Sequence, residues 1–328
     1  MRKKYNWGIL APGKIAHKFT EGLKCLDNAN LYSIGSRSEE RAGDFAKQYG
    51  YIRSYGSYEE FAADPELEVV YIATPHSHHM EHTLLCLENG KAVICEKAFA
   101  LNSKEVEKMI SFAKDRKLFL MEALWPPFQP SYNEAHSIID SGGIGKVIHI
   151  RSQFAFKAPY EPDKRLYNLE LGGGALLDIG IYPVMDTLAF MGVPDEIFAR
   201  AEFSKTGVDE TINVLFGYRD GSTASLYSSL TSNSGTATEI YCENGRISLN
   251  RGKDRSQHLL IEIDGTDPES KVYSPGSMGY HFEAEEVMKC LDQGKLESDI
   301  VPLKFSSDLM TVLDKIRGKA GIKYPGRD

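Results

Sequence analysis

The first 123 residues alternate short apolar runs with stretches of helical periodicity, and this alternation limits the possible folds more than any other feature. The candidate strands are WGILA (7–11), NLYSIGS (30–36), VVYIAT (69–74), AVIC (92–95) and LFLME (118–122). Helical patterns lie between them at 40–50, 81–90 and 103–115. Strands that alternate with helices form βαβ units, which build a parallel sheet with helices on both faces. We therefore predict a doubly wound Rossmann α/β domain over residues 1–123.

After residue 124 the pattern changes to that of an antiparallel sheet. The segment 146–156 alternates partly with a period of two, and β-rich runs follow at EIFARAEF, TINVLFGYRDGSTASLYSSL, TEIYCENGRISLN and HLLIEI. RDGS and ENGR are hairpin signals between such runs, and two helices are predicted over about 279–294 and 304–319. We predict a second α/β domain over 124–328 with a large, mostly antiparallel open sheet. One face of this sheet would lie on helices and the other would be available to a partner.

Composition and charge argue against several classes of protein. The formal net charge of −8 disfavours a non-specific nucleic-acid binder. No stretch approaches the roughly 20 apolar residues of a membrane span, and the first apolar run is too short for a signal peptide. The five cysteines contain no CxxC pair, which fits buried thiols in a reducing compartment. We expect a cytoplasmic protein with neither a nucleic-acid nor a membrane partner.

The turn after the first predicted strand, GILAPGKIA, is similar to a dinucleotide-binding loop. Its G-x-G-x-x-G/A fingerprint would be Ala11, Gly13 and Ala16. Gly13 stands where the backbone approaches a pyrophosphate, whereas the glycine of the tight turn is replaced by alanine. A plain strand-to-helix turn is the alternative, but the place at the start of a βαβ series favours a cofactor. The predicted contacts are Ala11, Pro12, Gly13, Lys14 and Ile15.

The end of the second predicted strand bears on the choice between NAD and NADP. NAD sites usually place an acid there for the ribose 2′-hydroxyl, and NADP sites favour an arginine for the 2′-phosphate. GSRSEER supplies Ser36, Arg37 and Arg41 without an acid at the strand end. A helix cap formed by Ser36 and Glu39, at capping-box spacing, is a compatible alternative. We predict NADP as the cofactor, with NAD as the weaker candidate.

The segment TPHSHHMEH places four histidines within seven residues, directly after the strand 69–74. His78 and His82 are four residues apart, so on a helix they would share one face and could ligate zinc. We find no acidic or thiol ligand at a supporting spacing and predict no metal site. A loop at the carboxyl edge of the sheet, where doubly wound proteins bind ligands, is the favoured interpretation. Its predicted cofactor contacts are Thr74, Pro75, His76 and His79.

Two further segments carry polar residues where chemistry would need them. In KAVICEKAFAL, a strand without a polar face ends on Glu96 and Lys97 at the same ligand edge, although a surface salt bridge between the two is the alternative. In LGGGALLDIGIYP (171–183), Asp178 and Tyr182 are spaced i, i+4 and would share a helix face. Pro183 allows the helix to begin near Tyr182 instead. The alternative is that this segment has only a structural role, as a glycine-rich packing turn.

One family resembles the chain over essentially its whole length. The Gfo/Idh/MocA oxidoreductases, above all the branch of dimeric dihydrodiol and NADP-dependent xylose dehydrogenases, resemble it in WGILAPGKIA, SRS, ATPHSHH, CEKAFALN, MEALW, GGGALLDIGIYP and GKLESDIVPL…IRGKAGIKYP. The resemblance implies a Rossmann domain, a C-terminal α/β domain with an open sheet, and a homodimer formed across that sheet. It also implies hydride transfer between NADP and a carbinol or carbonyl carbon of a sugar or cyclic diol.

The chain departs from the family pattern at several positions. The usual E-K-P is Glu96-Lys97-Ala98 here, which leaves the backbone geometry at the proline position open. The turn glycine is Ala11, and the W-x-R-F-x-P segment lacks its arginine. Where many members carry histidine, this chain has Tyr182, as the dihydrodiol branch does.

Hydride transfer to or from a carbinol carbon needs a proton acceptor or donor beside the hydroxyl, and Tyr182 is our candidate. A free phenol has a pKa near 10, and lowering it by two to three units takes roughly 3–4 kcal/mol. One ammonium about 4 Å away supplies about this much at an effective dielectric near 20. Lys97 would be that ammonium, with Glu96 and Lys97 also contacting the cofactor, and Asp178 would orient Lys97 or the substrate. A non-catalytic NADP-binding sensor is the alternative.

Overall fold

The computed structural model describes residues 3–251, 256–274 and 279–327. The chain divides into two compact units, Met1–Phe128 with Pro275–Ser307 and Gln129–Ser274 with Asp308–Asp328. The predicted boundary at 123/124 therefore differs from the observed division, because 275–307 groups with the first unit. Each unit is built from two separate segments of chain.

The first unit contains a six-stranded parallel sheet in the order β3-β2-β1-β4-β5-β6. Its strands are β1 (Tyr5–Leu10), β2 (Ala29–Gly35), β3 (Arg53–Tyr55), β4 (Val69–Ile72), β5 (Ala92–Glu96) and β6 (Leu120–Ala123). Its helices include α1 (Lys14–Leu23), α2 (Glu39–Tyr49), α3 (Tyr58–Ala63), α4 (His79–Glu88) and α5 (Ser103–Arg116). This order is that of the doubly wound dinucleotide-binding fold, and its topological switch point lies between β1 and β4. The five predicted strands are confirmed, whereas β3 and α3 were not predicted.

The central strands have no polar face because both sides of the sheet are covered. Every residue of β4 is buried, and so are Val93, Ile94 and Cys95 of β5. Phe19 of α1 stacks on Tyr71 of β4, with ring centroids 3.7 Å apart and planes 3° from parallel. Burial of this kind is what the uninterrupted apolar runs predict.

The N-cap of α2 corrects one prediction. Ser38 caps this helix, and its Oγ accepts a hydrogen bond from the Arg41 backbone N–H at 3.3 Å. The alternative considered above, a cap by Ser36 and Glu39, does not form, since the helix begins two residues later than that spacing requires. Ser36 instead accepts from the Ser38 backbone N–H at 3.2 Å, inside the turn that leaves β2.

The second unit contains an eight-stranded sheet in the order β14-β13-β12-β11-β7-β10-β9-β8. Its strands are β7 (Val147–Ala155), β8 (Glu196–Phe203), β9 (Asp209–Gly217), β10 (Thr223–Ser229), β11 (Gly235–Cys242), β12 (Gly245–Arg251), β13 (Gln257–Ile263) and β14 (Glu269–Tyr273). All neighbouring pairs are antiparallel except β7 with β10, which confirms the predicted mostly antiparallel sheet. Helices α6 (Pro130–Asp140) and α7 (Ile181–Met191) pack on one face.

The two faces of this sheet differ in burial, as alternation along each strand requires. On β9, Ile212, Val214 and Phe216 are buried, whereas Leu215 is 54% exposed. Phe198 of β8, the direct cross-strand neighbour of Leu215, is 64% exposed. We call the face that carries these two residues the outer face of the sheet.

One segment, Leu169–Met191, has the length and apolar composition of a membrane span. Within this protein, 72% of its apolar window is buried. It contains the glycine-rich turn, a π-helical turn at Leu176–Gly180 and α7, and it packs against β7 and β10. Burial against a sheet is the behaviour of a core helix in a globular unit.

The last two helices are α8 (Tyr280–Asp292) and α9 (Leu303–Ala320), as predicted. Helix α8 packs against α1 within the first unit. The approach is close, since a Cβ added to Gly22 of α1 would lie 3.0 Å from the His281 backbone nitrogen. This packing explains why 275–307 joins the first unit.

Candidate active site

The turn between β1 and α1 has the geometry of a phosphate-binding loop. Ala11 has φ of 84°, a left-handed conformation that normally selects glycine. The Gly13 backbone N–H donates to Ala11 O at 2.9 Å, and no described side chain caps α1. A Cβ on Gly13 would be 3.7 Å from Ala73 O, so the backbone here is open to close approach. These residues fit a pyrophosphate at the helix N-terminus, and Ala16 is fully buried against the sheet as expected.

Two arginines and a tyrosine lie together beyond the end of β2. Arg37 and Arg41 are exposed, whereas Ser36 is buried. Burial raises the pKa of the Tyr58 phenol, and the charges of Arg37 and Arg41 together with a hydrogen bond to Arg37 oppose that shift. Tyr58, at the start of α3, was not predicted as a site residue. The cluster offers two positive charges and no acid at the strand end.

His79 joins the loops that follow β4 and β5. Its Nε2 lies 2.8 Å from Thr74 O and its Nδ1 lies 2.8 Å from Ala98 O. Burial lowers the pKa of His79 to about 4, so the ring is neutral near pH 7 and can donate to only one carbonyl at a time. The predicted residues Thr74 and His79 thus lie in contact, and His76 packs edge-on against His79 with ring centroids 5.5 Å apart. Pro75 lies between Thr74 and the short 3₁₀ helix His76–His78.

The other two histidines of this segment, His78 and His82, lie beside an acid, Glu81, that was not predicted as a ligand. Ligating atoms of His78, Glu81 and His82 all lie within 4.8 Å of one another. The statement that no acidic ligand stands at a supporting spacing is therefore wrong. Glu81 is three residues from His78, one helical turn away, and its Oε2 is 3.7 Å from His78 Nδ1. The signal was present in the sequence as H-x-x-E-H.

Glu96 and Lys97, at the end of β5, point to different surroundings. The Glu96 carboxylate accepts a hydrogen bond from the buried Tyr71 hydroxyl. Two more carboxyls are buried nearby: Glu122 Oε1 accepts from the Phe99 backbone N–H at 3.0 Å, and burial raises the pKa of Glu122 to about 8. Among the described residues neither carboxyl oxygen of Glu283 has a hydrogen-bond partner, and burial beside Glu96 raises its pKa well above the usual range. At neutral pH the Glu122 carboxyl is therefore mostly protonated.

Lys97 itself is half-buried at the ligand edge. The peptide bond from Lys97 to Ala98 is cis, although residue 98 is not proline. The positive charge of Lys97 lowers the pKa of both His79 and Glu122. The side chain therefore lies near His79, at the start of α4, and Glu122 of β6.

In the second unit, close backbone contacts at the glycine-rich turn set the position of the residues that follow it. A Cβ on Gly173 would lie 2.6 Å from Arg165 O, and one on Gly174 would lie 2.1 Å from Asp209 Oδ1. Asp209 is fully buried, and its Oδ2 accepts from the Leu176 backbone N–H at 2.6 Å. Burial raises the pKa of Asp209 to about 7. The packing-turn interpretation is correct, and Asp209 anchors the start of the helical segment.

The helical segment that follows this turn carries Asp178 and Tyr182, and these two side chains contact different partners. Asp178 is buried, and its Oδ1 accepts a hydrogen bond from Arg165 NH1 at 2.5 Å. Because Leu176–Gly180 is a π-helical turn and α7 begins at Ile181, the predicted α-helical i, i+4 face does not describe this segment. The ring of Tyr182 is half-buried and tilted against Phe154, with centroids 5.6 Å apart.

The predicted site residues fall into two groups. The first unit holds the cofactor-loop residues, the arginines, the residues around His79, and Glu96 with Lys97. The second unit holds Asp178 and Tyr182. Asp209 and Tyr58 join them as residues that the sequence did not single out.

Two family models match the chain over most of its length. A model of the oxidoreductase family with an NAD-binding Rossmann fold matches residues 5–124, and one of the GFO/IDH/MocA C-terminal domain matches residues 132–248. The chain belongs to the Gfo/Idh/MocA oxidoreductase family. The resemblance noted in the sequence is thereby confirmed.

Relatives of this Gfo/Idh/MocA member cover nearly its full length. The trans-1,2-dihydrobenzene-1,2-diol dehydrogenases of Xenopus laevis and Mus musculus are each 35% identical to it, over 97% of this chain and 99% and 98% of theirs. The Homo sapiens protein of that name is 33% identical over 97% of this chain and 98% of its own. The chain is an oxidoreductase, as predicted.

Solved structures share the Gfo/Idh/MocA fold at lower identity. KijD10, a 3-ketoreductase from Actinomadura kijaniata in complex with NADP and TDP-benzene, matches with a TM-score of 0.88 and 22% identity, over 97% of this chain and 98% of that chain. Levoglucosan dehydrogenase in complex with NADH and L-sorbose matches with a TM-score of 0.86 and 19% identity, over 97% of both chains. The predicted fold class is confirmed.

Proposed function

We propose that this protein transfers hydride between NADP and a carbinol or carbonyl carbon of a cyclic diol or a sugar. The observation that carries the proposal is the position of Lys97, at the end of β5, on the edge of the sheet from which the β1–α1 and β4–α4 loops also emerge. In doubly wound proteins this edge, at the switch point, is where the dinucleotide binds. The nicotinamide of the bound cofactor supplies or accepts the hydride.

The preference for NADP rests on Arg37 and Arg41. A 2′-phosphate carries negative charge that two exposed guanidinium groups beside Tyr58 would neutralise. The solved neighbours hold NADP in one case and NADH in the other, so the fold alone does not choose between them. The charge at the end of β2 is the feature of this chain that supports the choice of NADP.

Proton transfer is assigned to Tyr182. The proposal is that this phenol exchanges a proton with the substrate oxygen and that Lys97 supplies the second ionisable group of the reaction. Asp178 holds Arg165 by a 2.5 Å hydrogen bond, so the role proposed for Asp178 is to position Arg165 for a substrate hydroxyl. In this assignment Asp178 orients a substrate contact and has no direct part in proton transfer.

The surroundings of Tyr182 favour a ring-shaped substrate with hydroxyl groups. Phe154 lies between the rings of Tyr182 and Phe156, with centroid distances of 5.6 and 6.2 Å. Aromatic faces bind flat apolar rings, and Arg165 and Asp178 carry polar groups that can hydrogen-bond substrate hydroxyls. A cyclic diol combines both properties, and this agrees with the name of the relatives in Xenopus and mouse. Sugars are the second substrate class.

The test is a measurement of NADP⁺ reduction with trans-dihydrobenzenediol and a panel of aldoses, together with carbonyl reduction by NADPH. Lys97→Ala and Tyr182→Phe should each lower turnover about 10²–10⁴-fold while NADPH binding persists, as expected for lost acid–base catalysis. Lys104→Ala, an exposed lysine on α5, is the control and should keep normal turnover. Near-normal turnover in both site variants would contradict the assignment. NADPH binding without turnover of any substrate would favour the sensor.

We also propose a homodimer formed through the outer face of the second unit's sheet. The exposed cross-strand pair Phe198 and Leu215 supports it, because large exposed apolar side chains on a sheet mark a contact surface. Leu215→Lys should halve the mass measured by light scattering, whereas a monomeric parent protein would end the proposal.

The five free cysteines, four of them buried, support a reducing compartment such as the cytoplasm.

A further inference from the structure

The first unit contains a cluster of three possible metal ligands that has no part in the proposed reaction: His78, Glu81 and His82. His78 immediately precedes α4, and Glu81 and His82 lie in its first turn, so all three side chains leave the helix on one side. Their ligating atoms lie within 4.8 Å of one another. Two imidazoles and one carboxylate are the donor set that zinc takes at sites with an open fourth position.

We propose that His78, Glu81 and His82 bind a zinc ion beside the residues that hold the cofactor's 2′-phosphate. In a tetrahedral site with bonds of about 2.0–2.1 Å, ligand atoms lie about 3.4 Å apart. Small side-chain rotations would close the remaining gap. Such rotations are available because the side chains of His78 and Glu81 are 38% and 71% exposed.

The third ligand is already fixed in place. His82 is buried, and its Nδ1 lies 3.1 Å from Thr74 Oγ1. When Nδ1 carries the proton and donates it to the threonine, Nε2 presents its lone pair to a metal. A second partner of this kind commonly sets the tautomer and orientation of a metal-binding histidine. Thr74 is thus a positioning residue for the zinc site.

The site borders the arginine cluster at the end of β2. The ring of His82 meets the edge of Tyr58 with centroids 4.7 Å apart, and Tyr58 is hydrogen-bonded to Arg37. Arg37 is the residue assigned to the 2′-phosphate, so this part of the inference rests on the proposed use of NADP. A bound Zn²⁺ would add positive charge next to a phosphate dianion. Zinc should therefore tighten NADPH binding and leave NADH, which lacks the 2′-phosphate, unaffected.

The first experiment measures the site without cofactor. Chelator-treated protein is titrated with ZnCl₂ by calorimetry, and the absorption of the Co²⁺-loaded protein is recorded in the visible region. We expect one ion per chain and a tetrahedral Co²⁺ spectrum. His78→Ala and Glu81→Gln should abolish specific binding, and Thr74→Val should weaken it about 10–100-fold. Glu88→Gln, an exposed glutamate on the same helix, is the matched control and should bind as the parent protein does.

Absence of saturable zinc binding, or binding that His78→Ala and Glu81→Gln leave unchanged, would overturn the site. Circular dichroism confirms that each variant is folded. Because this experiment needs neither cofactor nor substrate, it stands even if no turnover is found.

The second experiment measures the coupling between zinc and cofactor. Nucleotide fluorescence gives the dissociation constants of NADPH and NADH with and without ZnCl₂. We expect NADPH to bind about 5–150-fold more tightly with zinc, the usual range for coupled sites, and NADH to be unchanged. The gain should vanish in Glu81→Gln and persist in Glu88→Gln. An equal effect on both nucleotides, or none on either, would overturn the link to the 2′-phosphate.

Discussion

Replacing Gly173 with alanine should disrupt the turn that leads into Asp178 and Tyr182. A Cβ at this position would lie 2.6 Å from Arg165 O and 2.8 Å from the carbonyl oxygens of Leu166 and Asn168. All three are backbone atoms, so no side-chain rotation relieves the contact. The Gly173 backbone N–H also donates to Asn168 O at 3.0 Å, and that bond would lengthen as the turn moves.

The expected cost follows from these contacts. Overpacking against fixed atoms costs about 1–3 kcal/mol, and loss of a buried backbone hydrogen bond adds about 1 kcal/mol. We expect the free energy of unfolding of the second unit to fall by about 2–4 kcal/mol. Turnover should fall as well, because Arg165 and the segment that carries Asp178 meet at this turn.

The assay uses the position of the tryptophans. Both Trp7 and Trp125 lie in the first unit, so their fluorescence reports that unit during urea unfolding, whereas circular dichroism reports both units. Gly173→Ala should shift the dichroism transition more than the fluorescence transition. Gly143→Ala is the control, since a Cβ there meets only Ser141 Oγ at an ordinary 3.7 Å. If Gly173→Ala and Gly143→Ala show the same urea unfolding transitions and the same turnover, the reasoning is refuted.

Three further changes have defined outcomes. Ala11→Gly should raise the free energy of unfolding by about 0.5–1 kcal/mol. Glycine relieves about 1–2 kcal/mol of steric strain at the left-handed φ, and this gain exceeds the cost of the greater backbone entropy of glycine in the unfolded chain. A lower melting temperature for the variant would contradict the prediction. Arg37→Ala should raise the dissociation constant of NADPH at least tenfold and leave that of NADH within twofold, for loss of a charge-assisted contact worth about 1.5–3 kcal/mol, and equal losses would show that the arginine does not meet the 2′-phosphate. Glu122→Gln should flatten the pH dependence of stability. Burial raises the pKa of Glu122 to about 8, so between pH about 4.5 and 8 the folded protein keeps this proton while the unfolded chain loses it, and stability falls as the pH rises. Parent and variant stabilities from urea unfolding should therefore diverge by up to about 4–5 kcal/mol across that window, and parallel curves would be the contrary result.

The strands of the first unit could be predicted because their apolar runs lack interruption. Every residue of Val69–Ile72 is buried, so the sequence carries the burial pattern directly. Strand β3 is three residues long and largely exposed, and no periodicity marks it. The cap of α2 shows a limit of a different kind. Ser36 and Ser38 have the same chemistry, and only the path of the backbone decides which of them caps the helix.

Some contacts of the candidate site could be predicted from the sequence, and others could not. Glu81 stands at helical spacing from both histidines, so the three-residue cluster was visible in the sequence once acids were counted with imidazoles. Asp209 is 33 residues from its partner Leu176 and reaches it only through the fold of the second unit. The pairing of Arg165 with Asp178 depends likewise on the loop between them. Contacts of this type carry no local signal.

The return of the chain to the first unit has a consequence for biosynthesis. A ribosome that has released residues 1–128 has made every strand of the parallel sheet, yet α8, which covers α1, is still about 150 residues away. At about 5–20 residues per second, the nascent sheet would wait roughly 8–30 s for that helix. During this interval the surface around Gly22 is uncovered and open to chaperones or to other nascent chains.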